Sequence, residues 1–405
     1  MTAIKGLTYV MFAMFAMTTD SVGLIIPEVI RTFGLSLTAA GAFQYATMGG
    51  IAVAGLVLGQ LADRCGRRPV LVAGLTLFAA SSFAFLAGDT FLFFTLLMGL
   101  SGVAIAVFKT AALALIGDIS TSTAQHTAIM NTAEGFFGVG SIIGPAILAR
   151  LLGADVAWQW LYVLAGGMCV LLIATALQID YPQSPRPAAA HVGMSGTVAA
   201  MKNWYVLAFS TGIFLYVAVE AAIYVWMPTW LAPPGTPVTW VVAYSLSIFF
   251  LLRAAGRFLG AWMLTRFHWQ AVAALFSGAI LVSFAASVLM GIAWAVYLLP
   301  LSGLFMSIIY PTLNSKGISC VPKSEHGAAA GVILFFTCVS AVVAPLAMGA
   351  VGDAMGHIRY AFWLAAAFSA LLFFGLLLNW IFDPTRAMLE RLNRSEYGQQ
   401  QPASL

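Results

Sequence analysis

Charge is what this chain has least of. Asp, Glu, Lys and Arg make up 8% of its 405 residues, against about 25% in a soluble protein. That excludes an ordinary water-soluble domain. No nucleic-acid partner is expected, and the net charge of +4 is no argument for one, because the excess cations belong to loops between the apolar runs. Cysteine is scarce too. Cys65, Cys169, Cys320 and Cys338 have no paired spacing, which excludes a disulfide scaffold or a thiolate metal site. His126, His191, His268, His326 and His357 are scattered, and H-E-x-x-H, G-x-S-x-G and the P-loop are all missing. No metal, no cofactor and no catalytic constellation is therefore expected, and an enzyme or a receptor is a weak reading of the chain.

Apolar residues fill the space that charge leaves, at 61% of the chain. A transmembrane helix needs about 20 of them in a row. Twelve such runs are read, at 7–30, 38–62, 69–88, 91–117, 124–149, 157–178, 204–231, 238–265, 270–291, 293–315, 326–351 and 358–382. The first is read as a span and not a cleavable leader, since it is long and carries an acid in its middle. The stretch 179–203, with Pro182, Pro185 and Pro187, reads as a cytoplasmic linker. It divides a six-helix bundle at 1–178 from a second at 204–383, and 384–405 is a polar tail. With both ends cytoplasmic, the inner loops hold Lys5, Arg64, Arg67, Arg68, Arg186, Lys202, Arg266, Lys323, Arg386, Arg391 and Arg394. The outer loops hold only Arg31, Arg150 and Arg359. That asymmetry orients the protein in the inner (plasma) membrane.

The two halves repeat one another. Gly59 matches Gly260, Gly144-Pro145 matches Ala344-Pro345, and Asp20 ahead of Pro27 matches Glu220 ahead of Pro228, all at offsets of 200 or 201. Independent features at one offset give two pseudo-symmetric six-helix bundles, an all-α membrane protein with a solute site near mid-membrane.

One polar stretch interrupts the apolar runs sharply: Gly59-Gln60-Leu61-Ala62-Asp63-Arg64-Cys65-Gly66-Arg67-Arg68-Pro69. Its charges cannot lie in hydrocarbon, so it is a tight loop between the second and third spans. It resembles the signature loop of the major facilitator superfamily. The resemblance implies the major facilitator fold and a gating role for Gly59, Asp63, Arg64, Gly66, Arg67 and Arg68. Asp63, steadied by Arg64 and Arg67, is expected to meet the start of the eleventh span near Glu325-His326, where free N–H groups favour a carboxylate.

A second stretch, Gly303-Leu304-Phe305-Met306-Ser307-Ile308-Ile309-Tyr310-Pro311-Thr312, resembles the fucose–galactose–proton symporter family, as does Gly256-Arg257-Phe258 with Gly260. That likeness implies inward sugar transport coupled to protons, with a carbohydrate, protons and the lipid bilayer as partners. A monomer is expected.

Ionisable groups inside spans are costly and are therefore read as functional. Asp20, Glu134 and Glu220 are the expected proton-coupling acids. The resemblance places Asp20 where the family has a proton-coupling Asp, and Lys109 where it has an acid. A lysine in a span must find an anion, so Lys109 is read as facing either Asp20 or an anionic solute. Asn131 and Glu134, three residues apart, share one helical face. They join Lys109, Tyr216, Glu220, Tyr310 and Asn314 as expected solute contacts. Arg253 is expected to pair with Glu134 or Glu220, and Arg257 to be a further charge-pairing group. Gly135, Gly138, Gly140 and Gly144-Pro145 are expected to give close helix contact and a kink. They partly resemble the drug/proton antiporter signature, which keeps an exporter as the alternative.

Overall fold

The computed structural model describes residues 2–58, 61–120, 123–181, 201–233, 239–322 and 325–396. Among them no strand occurs, and ten helices are long and apolar enough to cross a membrane. They are spans 1 (Ala3–Phe33), 4 (Phe91–Asp118), 5 (Ala128–Leu152), 6 (Gln159–Gln178), 7 (Trp204–Leu231), 8 (Ser245–Leu264), 9 (Trp269–Met290), 10 (Ile292–Ser319), 11 (Ala328–Ala354) and 12 (Arg359–Phe382). The remaining two expected spans are helices as well. Span 2 (Ala42–Leu58) is a short 17 residues. Span 3 (Arg67–Ala84) opens on two arginines and carries Ser81-Ser82, which lowers its hydropathy.

The contacts group into two compact units, Met1–Ala189 with Tyr224–Phe250, and Ala190–Ile223 with Leu251–Leu405. In the first, spans 2 and 4 pack on small residues. A side chain on Gly50 would meet the Gly99 carbonyl, and one on Gly102 the Thr47 carbonyl. In a bilayer this close fit replaces the hydrophobic drive that water would supply. The centre is aromatic: Phe15 lies with its ring centroid 4.4 Å from Phe108 and 4.8 Å from Phe78. In the second unit, span 9 packs on spans 10 and 12, and span 7 on spans 10, 11 and 12.

Among the described residues three of these spans are interrupted, each for a legible reason. Span 1 breaks at Asp20-Ser21, between helices Thr2–Thr19 and Val22–Phe33. The hydroxyls of Thr18, Thr19 and Ser21 donate to the carbonyls of Phe15, Phe15 and Met17, competing with the backbone ladder. Span 7 widens to a π-helical turn over Ala222–Trp226. Pro228 cannot donate to the Tyr224 carbonyl and its ring crowds that turn. Span 10 breaks at Ser307-Ile308, four residues and three residues before Pro311. Proline thus marks the second and third breaks, and a run of hydroxyls the first.

Candidate functional site

In the first unit the predicted residues of spans 1, 4 and 5 come together. Span 5 approaches span 1 through Gly140 and Gly144: an added Cβ would lie 2.0 Å from the Ala13 carbonyl oxygen and 2.1 Å from that of Met17. That approach carries the intervening Ser141 onto the break in span 1, where its hydroxyl donates to Asp20 Oδ2. Gly135 and Gly138 have nothing within 4 Å of an added Cβ, so only half of the expected glycine contacts form.

Lys109 follows Phe108, which is fully buried in the aromatic centre, and so leaves span 4 on a different face. Its ammonium stands over the ring of Phe137, 5.0 Å from the centroid. The direct Asp20–Lys109 pair weighed from sequence does not form: among the described residues Lys109 takes part in no ion pair. Asn131 and Glu134 are exposed, on the same line of span 5. Counting on from Asn131 and Glu134 by three and then four gives Phe137 and Ser141, the two members of this face that sequence reasoning missed. The helical period alone would have found them.

In the second unit the site is made of charge and aromatic contacts. Arg253 Nη1 lies 2.5 Å from Glu220 Oε1, with the two side chains 23% and 10% exposed. It is a charge contact, not an aligned hydrogen bond, since Glu220 Oε1 has no hydrogen-bond partner. Of the two acids expected for Arg253, Glu220 is the one it meets. Tyr216 is fully buried, and its hydroxyl donates to the Met306 carbonyl at 3.0 Å. That carbonyl is among those left over where span 10 breaks. The ring of Tyr216 lies 6.2 Å from that of Tyr310, which is half-buried, as is Asn314. Arg257 lies close enough to act on the Tyr216 hydroxyl electrostatically. Lys316 covers Trp269 at 5.7 Å.

At the signature loop, Gly66 takes φ 92° and starts span 3, a conformation that favours glycine. Arg67, expected beside Asp63, donates to Asp118 at the end of span 4 at 2.8 Å. Arg68 donates to the Leu177 carbonyl and covers the ring of Tyr181. Burial pushes the Tyr181 hydroxyl above its usual pKa, and Arg68 draws it part of the way back. Gly59 and the side chains of Asp63 and Arg64 lie outside the described residues.

A cavity of about 730 Å³ sits elsewhere in the first unit, lined by Glu28, Arg31, Asp89, Asp155, Phe94 and Trp158 among others. None of the predicted site residues lines it.

A family model described as Major Facilitator Superfamily matches residues 8–345. The curated glucose/galactose transporter of Brucella abortus is 24% identical over 395 residues, covering 93% of this chain and 93% of its own. The solved structure of the nucleoside transporter NupG matches at a TM-score of 0.74 and 15% identity, over 93% of this chain and 97% of that one. The transporter FucP, in the outward conformation, matches at 0.63 and 19%, over 92% and 98%. At these identities the two structural likenesses carry the fold alone.

Proposed function

The chain belongs to the major facilitator superfamily, and from that premise we propose that it imports a small carbohydrate together with protons. It is a multi-pass transporter of the membrane, not an enzyme. The proposal places it in the inner membrane with both termini cytoplasmic, as a monomer of two bundles, 1–178 and 204–383. The bundles alternate in opening the solute site to either side. The name of the Brucella relative supports a sugar; the acids within the spans support protons.

One observation carries the coupling: the Ser141 hydroxyl on Asp20, at the break in span 1. A hydroxyl both donates and accepts, so by rotating it serves the carboxylate in its ionised and its protonated form. A helix break lets that contact change as the two sides alternate. Glu220 faces the Arg253 guanidinium, a group that only donates, so it lacks the two-way partner that Asp20 has. Asp20 thus carries the proton, and Glu134, exposed on the face of span 5 that leads to Ser141, serves the solute. Taken unit by unit, the groups suited to a solute's hydroxyls are Asn131 and Glu134 in the first and, in the second, Asn314 and Tyr310, whose ring lies 6.2 Å from that of Tyr216. The loop 59–69 gates the cytoplasmic side through Asp63.

The test is uptake of labelled glucose and galactose by vesicles under an imposed pH gradient. Wild type accumulates sugar against its gradient. Asp20→Asn keeps sugar exchange and loses accumulation. Full accumulation by the variant would overturn the coupling. Loss of a lipophilic dye from cells, with no sugar uptake, would mark an exporter instead.

A further inference from the structure

We infer that the solute carries a single anionic group, a carboxylate on the carbohydrate, and that Lys109 receives it. The inference rests on the carbohydrate reading above and narrows it. Taking a charge out of water costs several kcal/mol per ion. The contact that Lys109 makes among the described residues is the face of Phe137. A cation–π contact returns only about 0.5–2 kcal/mol. Lys109 is half-buried, neither fully exposed to solvent nor sealed inside the protein. Its environment therefore holds uncompensated positive charge until an anion arrives.

The nearby acids among the described residues do not remove that charge. Asp20 is joined to Ser141, one helical turn beyond Phe137 on span 5. Glu134 lies one turn to the other side and makes no ion pair with Lys109. Phe137 occupies the position between them and covers one side of the ammonium. The remaining side of Lys109 is the place for a ligand oxygen. Asn131 and Glu134, exposed on the same face, are then placed to bond the hydroxyls of the same molecule.

One ammonium matches one negative charge. A monoanionic sugar acid is therefore preferred to a sugar phosphate, which brings up to two. The charge balance has a consequence. One proton bound at Asp20 and one carboxylate bound at Lys109 cross the membrane together with no net charge. Uptake should follow the pH gradient and be indifferent to the membrane potential.

The probes are D-glucuronate, D-glucose and a hexose phosphate, titrated calorimetrically into the purified full-length protein. A charge-assisted hydrogen bond contributes about 1.5–3 kcal/mol, so glucuronate should bind at least about tenfold more tightly than glucose. Lys109→Gln should erase that preference and Lys109→Arg should keep it. In vesicles, clamping the potential at zero or at a negative value should leave glucuronate uptake unchanged. Glucose binding as tightly as glucuronate, or a preference that survives Lys109→Gln, overturns the anion assignment and leaves carbohydrate import standing. Tighter binding of the hexose phosphate overturns the carboxylate. Binding of none of the three overturns carbohydrate import itself. Should Lys109→Gln fail to fold, the wild-type preference and the Lys109→Arg variant decide the same question.

Discussion

Asp20 and Glu220 occupy the same place in the two repeats, and the structure treats them in opposite ways. Asp20 sits on a broken helix and takes a hydroxyl from Ser141. Glu220 sits at the end of an unbroken helical stretch, just before a π turn, and takes a guanidinium from Arg253. The partner serine does not repeat: Ala341 of span 11 stands where Ser141 stands in span 5, and the neighbouring Ser340 donates its hydroxyl to the Phe214 carbonyl. Duplicated sequence has therefore put the two acids beside different partners, a hydroxyl that both donates and accepts and a guanidinium that only donates.

The largest effect that would break this comparison lies in the second unit. Removing one partner of a largely buried ion pair strands the other, at about 3–5 kcal/mol. Arg253→Ala should lower the thermal midpoint of the detergent-purified protein severely. The double variant Glu220→Gln/Arg253→Met should recover most of the loss, because no charge is then stranded. A double variant as unstable as the single would mean that Arg253 matters through contacts other than Glu220.

A smaller effect separates span 5 from span 11. Gly144 touches the Met17 carbonyl, whereas its counterpart in span 11 is Ala344, which is buried and tolerated. Gly144→Val should cost about 1–3 kcal/mol by overpacking. Gly138→Ala, with open space around it, should be neutral or gain about 0.5–1 kcal/mol from helix propensity. Equal losses at both positions, read from thermal unfolding, would show that span 5 does not rest on span 1 through Gly140 and Gly144.

Much of this was legible in the sequence. Hydropathy marked the spans, the offset of 200 marked the repeat, and the intramembrane charges marked Asp20, Lys109, Glu134, Glu220 and Arg253. What was not legible was which charge meets which. Lys109 and Asp20 are opposite charges in adjacent spans, and Coulomb attraction alone pairs them. Side-chain direction decides otherwise: Phe108 is locked in the aromatic centre, and Lys109 is turned by one residue onto Phe137. Likewise Tyr216, expected from the sequence to contact the solute, is fully buried. Its burial follows from the break in span 10, which needs a donor and has no trace in hydropathy.

The smallest effect concerns that break. Span 4 runs unbroken through Lys109, while span 10 at the equivalent place stops at Met306 and restarts at Ile309. Pro311 withholds an N–H from the turn before it, so carbonyls there need other donors. The Tyr216 hydroxyl supplies one, to Met306, from a side chain with no exposed surface. Tyr216→Phe keeps the ring against Tyr310 and removes only that bond, so the loss should be about 1 kcal/mol. The global midpoint will move little. Hydrogen exchange gives the sharper reading, because a weakened break should exchange faster over 303–312 while 103–112 in span 4 stays as it was. Equal exchange in both segments, in wild type and variant, would show that the span 10 break holds without Tyr216.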